Sequence, residues 1–187
     1  FVGLACAFSN KAGLFNIGCE GQLYIGGLTA AATAIALQGM PRVVIISAAF
    51  LTGMLAGALV GGMNGFLKAK LQISEVLVAI MMNYILKFFT SYCVHGPLKD
   101  PKSKIAQTVS IGRENMLTKL VPKSQLTTAL IVGVVLAVLI YIFFHKTRAG
   151  FNIRAVGENA TAAQASGIGI MRTVIITMAV SGALAAL

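Results

Sequence analysis

Charged residues are scarce in this chain. They make up 11% of its 187 residues, against about 25% in a typical soluble domain, while 57% of the residues are hydrophobic. So little charge leaves too little polar surface to cover a water-soluble globule of this length. We therefore expect much of the surface to face lipid, and the lipid bilayer is the first predicted partner.

Acidic residues are rarer still, with 5 Asp and Glu against 15 Lys and Arg, which gives a net charge of +10. In a soluble protein this balance would suggest nucleic acid. Here the basic residues lie between apolar stretches, where they would meet lipid headgroups and water. Aromatic residues do not alternate with a basic stripe, so the sequence predicts no nucleic-acid partner.

Cysteine is also rare and is not arranged for chemistry. Cys6, Cys19 and Cys93 are far apart and odd in number, which predicts neither a disulfide framework nor a metal site. The sequence contains no Ser/His/Asp set and no G-x-x-x-x-G-K-[ST] phosphate loop. We therefore predict no catalytic residue, no metal and no cofactor. If ATP drives the protein, another subunit must hydrolyse it.

Long apolar stretches fill the places where charge is missing. About 20 mostly apolar residues cross the hydrocarbon core, and four stretches approach or exceed that length: 21–37, 43–67, 73–94 and 126–144. Partial spans lie at each end, so we expect residues 1–187 to be a single transmembrane domain truncated at both ends. The predicted fold is all-α, a polytopic transmembrane helical bundle, because a helix satisfies its own backbone hydrogen bonds in lipid. Short alternating strands typical of a β-barrel are not visible.

Glycine recurs every fourth residue in the second predicted span, at Gly53, Gly57, Gly61 and Gly65. Residues four apart share one helix face, so these positions predict a smooth surface for close helix packing. A bundle whose helices shift against each other is the alternative interpretation.

Polar residues inside predicted spans are candidates for a substrate path, because they are costly in lipid. Glu20 and Gln22 begin the first span, after a glycine-rich approach at residues 13–18 that contains Asn16. Such an approach suits a broken or re-entrant helix that faces a cavity. The third span adds a second group of polar side chains: Glu75, Asn83, Tyr84 and Lys87.

Each of these candidates also has a structural interpretation. Glu20 and Glu75 are either gating groups or interfacial carboxylates that pair with a lysine. Asn83 and Tyr84 either contact substrate or form hydrogen bonds between helices. Lys87 is expected to extend its charged end to the membrane interface.

Residues 148–172 form a polar stretch with signals for one short helix. Asn159 is a good N-cap, residues 160–166 are mainly small, and Gly167 suits the C-terminal stop. From physical chemistry alone this helix is an ordinary connector at the membrane surface. The basic residues divide equally between the two predicted sides, so charge does not orient the chain.

Two motifs resemble a known family. Residues 13–22 match the pattern G-x-x-N-I-G-x-E-G-Q, and residues 147–159 match T-x-x-G-x-x-x-R-A-V-G-x-N. Residues 162–163 and 167–168 continue the second motif as A-A-x-x-x-G-I. Both motifs are similar to those of the ABC transporter permeases that serve simple sugars, nucleosides and branched-chain amino acids. Residues 75–77 and 82–84 resemble an element of the nucleoside-type permeases.

The resemblance implies that residues 145–172 are a cytoplasmic coupling segment, with a coupling helix at 157–170 that docks on an ATPase. Seven residues are assigned to this contact on that basis: Arg154, Gly157, Glu158, Asn159, Ala162, Ala163 and Gly167. The implied partners are a cytoplasmic ABC ATPase, a second permease subunit of the same or a homologous kind, and an extracytoplasmic substrate-binding protein at the loop 95–125. The implied function is nucleoside or sugar import by ATP-driven alternating access in a bacterial inner membrane. An ATP-independent secondary transporter or channel and a structural membrane subunit are the competing hypotheses.

Overall fold

The computed structural model describes residues 1–101, 105, 107–109, 111 and 127–187. In these ranges the chain forms eight α-helices: α1 (Val2–Asn10), α2 (Cys19–Ala36), α3 (Arg42–Leu71), α4 (Glu75–His95), α5 (Ala129–Lys146), α6 (Arg148–Glu158), α7 (Ala160–Ala165) and α8 (Ile170–Ala185). An isolated antiparallel bridge pairs Lys99 with Thr108. The prediction of an all-α bundle is confirmed.

Among the described helices, α3, α4 and α5 are long and apolar enough to cross a membrane. The predicted first span is a helix, α2, but it does not reach the same level of apolarity. Glu20 and Gln22 lie within its first turn, and each lowers the mean apolarity of its 18 residues. Most of the predicted loop 95–125 lies outside the described residues.

The second span was expected to end at residue 67, before Lys68 and Lys70, and this is wrong, because α3 continues to Leu71. Lys68 and Lys70 lie in its last turn, where a positive charge is favourable beside the negative end of the helix dipole. The helix ends where Gln72 adopts a left-handed conformation with φ of 55°. Helix α4 then begins at Glu75, two residues later than the expected Ile73.

Helices α3 and α8 pack with their backbones almost in contact. A Cβ added to Gly57 would overlap the Gly182 carbonyl oxygen, and one added to Gly61 would overlap that of Met178. A Cβ on Gly65 would lie 2.9 Å from the Met178 Cβ. The glycine face of α3 therefore receives α8 at a distance that any larger side chain would prevent.

The main apolar core lies where α1, α5, α6 and α8 meet. Phe8 packs against Phe144 with ring centroids 5.0 Å apart, and Ile153 and Met178 belong to the same cluster. This core joins the peripheral helix α5 to the rest of the bundle through α1 and α6.

Residues 147–167 hold two short helices, of which the sequence predicted one. Helix α7 has the expected N-cap, since the Asn159 side chain accepts the Ala162 N–H at 3.0 Å, and Gly167 after it has φ of +83°. Helix α6 was not predicted. Its N-cap is Thr147, whose hydroxyl accepts the Gly150 N–H at 3.0 Å.

Candidate functional site

A buried polar junction lies at the start of α2. The Asn16 amide nitrogen donates to the Gln22 side-chain oxygen at 3.0 Å and to the Ser181 hydroxyl at 2.8 Å. The Asn16 oxygen accepts the Gly18 N–H at 3.1 Å. Ser181 in turn donates to the Ala5 carbonyl oxygen at 2.7 Å, so the junction joins the approach segment to α1, α2 and α8.

Asn64 lies beside this junction and was not among the predicted residues. It is fully buried in α3, and neither atom of its carboxamide has a hydrogen-bond partner. A Cβ added to Gly18 would lie 3.0 Å from the Asn64 nitrogen and 3.2 Å from the Asn16 oxygen. The signal in the sequence was a single carboxamide in an otherwise apolar, glycine-rich span, which is costly in lipid.

Asn83 fastens α4 to the start of α2. Its side-chain oxygen accepts the Gly21 N–H at 2.8 Å, and its nitrogen donates to the Ile17 carbonyl oxygen at 3.0 Å. The bond to Gly21 joins two helices, as one interpretation of Asn83 expected, whereas Ile17 lies in the segment before α2. Gly21 is required for these bonds, because a Cβ there would lie 2.8 Å from the Asn83 oxygen.

An open polar pocket of about 270 Å³ lies next to these bonds, between the start of α2 and the middle of α4. Its lining combines a carboxylate, an ammonium group, a carboxamide, a phenol and two aliphatic side chains: Glu20, Lys87, Asn83, Tyr84, Ile17 and Ile80. No ion pair joins Glu20 to Lys87 in the described structure. Both charges are therefore available to a ligand, and the Tyr84 side chain is 59% exposed beside them.

Six of the candidates for a substrate path thus fall into three places, and the seventh, Lys87, also lines the open pocket. Glu20, Asn83 and Tyr84 line the open pocket, whereas Asn16 and Gln22 are buried in the junction behind it. Glu75 lies apart from both groups. Its carboxylate forms an ion pair with Lys68 at 2.6 Å across the turn between α3 and α4, as the lysine-partner interpretation expected.

The residues predicted for ATPase coupling differ in exposure. Five of them are exposed: Gly157, Glu158, Asn159, Ala162 and Gly167. Ala163 is buried, and Arg154 is half-buried on the side of α6 that faces α1. Gly157 contacts the end of α1 so closely that a Cβ there would overlap the Lys11 carbonyl oxygen. The exposed face of this segment is thus centred on α7.

Metal-binding chemistry has no support among the described residues, where no three His, Cys, Asp or Glu side chains come together. The sulfur atoms of Cys6 and Cys19 are 3.6 Å apart.

Several curated proteins are similar to this chain over nearly its whole length. The nucleoside ABC transporter permease protein NupB of Lactococcus lactis subsp. cremoris is 36% identical over 98% of this chain and 53% of its own length. The guanosine ABC transporter permease protein NupP of Bacillus subtilis is 38% identical over 99% and 53%. The glucose ABC transporter permease protein TsgB13 of Haloferax volcanii is 31% identical over 99% and 51%.

The chain spans about half the length of these relatives. No solved structure shows a significant match to it. The family described as branched-chain amino acid transport system / permease component matches residues 1–187, which is the whole chain. With three helices able to span a membrane and a family match from end to end, the chain is a membrane protein that belongs to this permease family.

Proposed function

We propose that this chain is part of the permease subunit of a bacterial ABC importer that moves nucleosides across the inner membrane. The observation that carries the proposal is the open pocket, which joins Glu20, Tyr84 and Lys87 at the mouth of α2. Two of the relatives, from Lactococcus lactis and Bacillus subtilis, are named as nucleoside and guanosine permeases, which supports this substrate class.

The chemistry of the pocket suits a neutral ligand with hydroxyl groups and an aromatic ring. A carboxylate such as that of Glu20 accepts hydrogen bonds from two adjacent hydroxyls, as on a ribose. The exposed Tyr84 ring offers a face on which a base stacks. Lys87 can donate to a carbonyl oxygen or ring nitrogen of the base.

The driving energy in this proposal comes from a separate ATPase. The chain carries no phosphate loop of its own, and α7 presents exposed small residues on a short, well-capped helix. We place the ATPase on this face, on the cytoplasmic side. The importer would also contain a second permease subunit and an extracytoplasmic substrate-binding protein. Movement of a pair of ATPase subunits would then switch the side of the membrane to which the substrate path opens.

The substrate assignment is tested by uptake in a bacterial host that lacks nucleoside transport. The full-length permease is expressed with its ATPase, partner permease and binding protein, and uptake of labelled nucleoside is measured with ribose or leucine as competitor. We expect uptake that stops with an inactive ATPase and that excess nucleoside, but not ribose or leucine, abolishes. Uptake that continues with the inactive ATPase would overturn the importer proposal, and competition by ribose alone would replace the substrate class.

The pocket is tested by a matched pair of tyrosine variants on α4. Tyr84→Leu removes the aromatic face from the pocket, while Tyr92→Leu removes a similarly exposed ring outside it. We expect nucleoside uptake to fall about tenfold or more in the first variant, because stacking on an aromatic ring contributes about 1–3 kcal/mol per base. Equal uptake by the two variants would remove Tyr84 from the substrate path.

The coupling face needs a variant that leaves internal packing intact. Gly157 is unsuitable, because any side chain there displaces the end of α1. Ala162→Arg alters the exposed face of α7, and Ala149→Arg is the control on an exposed position of α6. We expect the first variant to lose copurification of the ATPase and the second to retain it. The same amount of ATPase bound to both variants would contradict a coupling role for α7.

A further inference from the structure

A groove of about 350 Å³ lies between α1, α5 and α6. Neither the proposed substrate pocket nor the proposed coupling face accounts for it. One end is lined by three basic side chains, Lys11, His145 and Arg154, and the rest is mainly apolar. Charge and apolar surface are therefore separated along its length.

The basic end contains a cation without a partner. The Nε atom of Arg154 is buried and has no hydrogen-bond partner, and the residue forms no ion pair with any residue that the structure describes. Glu158, one turn further along α6, does not neutralise it. Removing a guanidinium N–H from water without an acceptor is unfavourable, so this end of the groove favours an anion with several acceptor oxygens.

His145 is held in place beside Arg154. Its Nδ1 lies 2.9 Å from the Tyr141 carbonyl oxygen, and its ring stacks on the Tyr141 ring with centroids 4.2 Å apart. Because a carbonyl oxygen only accepts, Nδ1 carries the hydrogen in this contact, and Nε2 is left for another partner. Lys11, at the end of α1, adds an exposed ammonium group to the same end.

The apolar part of the groove follows α1 and α5. Leu4, Ala7, Ala137 and Ile140 line it, and the two alanines leave room between the helices. A second groove of about 450 Å³ shares Leu4 and Ala137 with it and continues past Gly133 and Leu130 towards the start of α5. The apolar channel formed by these two grooves therefore extends along much of α5, which is long enough to cross the membrane.

We propose that this groove binds an anionic phospholipid. The phosphate lies among Lys11, His145 and Arg154, and one acyl chain follows the channel between α1 and α5. A phosphodiester supplies the acceptor oxygens that Arg154 lacks, and basic pockets between transmembrane helices are suited to anionic headgroups. A free phosphate would satisfy the charges but would leave the apolar channel empty, so the continuous channel favours the lipid.

The proposal is tested by lipid binding to the purified full-length permease in detergent. Native mass spectrometry measures how much palmitoyl-oleoyl phosphatidylglycerol stays bound, with the zwitterionic phosphatidylcholine of the same chains as reference. We expect phosphatidylglycerol to bind at least about tenfold more tightly, because three basic residues near a headgroup each favour an anionic lipid. Equal binding of the two lipids would overturn the proposal.

Matched variants locate the site. Arg154→Gln should weaken phosphatidylglycerol binding by about tenfold, because a hydrogen bond to a charged group contributes roughly 1.5–3 kcal/mol. Arg148→Gln removes the same charge from the same helix outside the groove and should leave binding unchanged. Lys11→Gln, at an exposed position, repeats the measurement if the first variant does not fold. The same loss in Lys11→Gln and Arg148→Gln would mean that the lipid is attracted by general surface charge, against the proposal.

A last variant distinguishes a lipid from a soluble anion. Ala137→Phe fills the apolar channel and leaves all three basic residues in place. We expect it to lose phosphatidylglycerol while remaining monodisperse in gel filtration. If instead it keeps the lipid, or if soluble glycerol phosphate displaces the lipid at equal concentration, the occupant is a small anion and the lipid proposal is wrong.

Discussion

The Asn83 side-chain oxygen accepts the backbone N–H of Gly21 at 2.8 Å, so the middle of α4 is fastened to the first turn of α2. The first turn of a helix has N–H groups without partners in the helix itself. Asn83 supplies one such partner from another helix, and its nitrogen holds the Ile17 carbonyl oxygen of the same segment. The approach to α2 is thus positioned by a side chain more than sixty residues away in sequence.

Replacing Asn83 should therefore loosen this contact. Asn83→Ala removes both hydrogen bonds, and we expect it to lower stability by about 1–3 kcal/mol, because two backbone groups lose their partners. The measurement is the thermal unfolding midpoint of the full-length permease in detergent. Asn83→Asp is the informative comparison, since it keeps an acceptor for Gly21 but loses the donor to Ile17. An unchanged midpoint for the alanine variant would show that this contact does not fasten the helices.

The contact of α3 with α8 should not tolerate a methyl group added to a glycine that faces α8. In Gly61→Ala the new Cβ would overlap the Met178 carbonyl oxygen, and we expect a loss of about 1–3 kcal/mol or more, as for other overpacked sites. The control is Gly62→Ala, where the nearest atom would be the Ala179 Cβ at an ordinary 3.5 Å. That variant should be neutral or slightly stabilising, because alanine favours the helix by up to about 1 kcal/mol. Similar thermal midpoints for the two variants would contradict the close approach.

The two buried asparagines beside Gly18 should respond in opposite directions to leucine. Asn64 has no hydrogen-bond partner, so Asn64→Leu should be neutral or stabilising, since an unpaired buried amide costs about 1–3 kcal/mol. Asn16→Leu removes bonds to Gln22, Ser181 and Gly18 and should destabilise the protein by several kcal/mol. The thermal unfolding midpoints of both variants test whether their stabilities change in opposite directions. A marked loss in Asn64→Leu would mean that its carboxamide has a partner, such as a buried water.

The ion pair of Lys68 with Glu75 should contribute modestly. Lys68→Met and Glu75→Gln, alone and combined, form a double-mutant cycle, and we expect a coupling energy of about 1 kcal/mol for this partly exposed pair. Raising the salt concentration should reduce the coupling, because exposed charges are screened. A coupling energy near zero at low salt would indicate that the pair contributes nothing to the turn between α3 and α4.

The spanning helices were the easiest part to predict from the sequence. Helix α5 is apolar along nearly its whole length, so its hydropathy alone identifies it. Helix α6 was missed because its 11 residues bury only two large apolar side chains, Ile153 and Val156, which is too few to show a helical period. The end of α3 was placed too early, because Lys68 and Lys70 were interpreted as a break although lysine favours the last turn of a helix.

The candidate site could be predicted only in part. Polar residues in apolar spans can be recognised in the sequence, because a polar side chain in lipid is energetically unfavourable. Glu20, Asn83 and Tyr84 were identified in this way. Their division into an open pocket and a closed junction depends on how α2, α4 and α8 pack, and no local pattern records that packing. Asn64 is likewise a polar residue in an apolar span, but it was not among the predicted residues.

The glycine contact of α3 with α8 has a consequence for motion. Glycine has no side-chain rotamer freedom to lose, so burying the glycine face of α3 against α8 requires no ordering of side chains on that face. The glycines also have no side chains that could repack into a second arrangement. We therefore expect α3 and α8 to move together when the described helices change their arrangement.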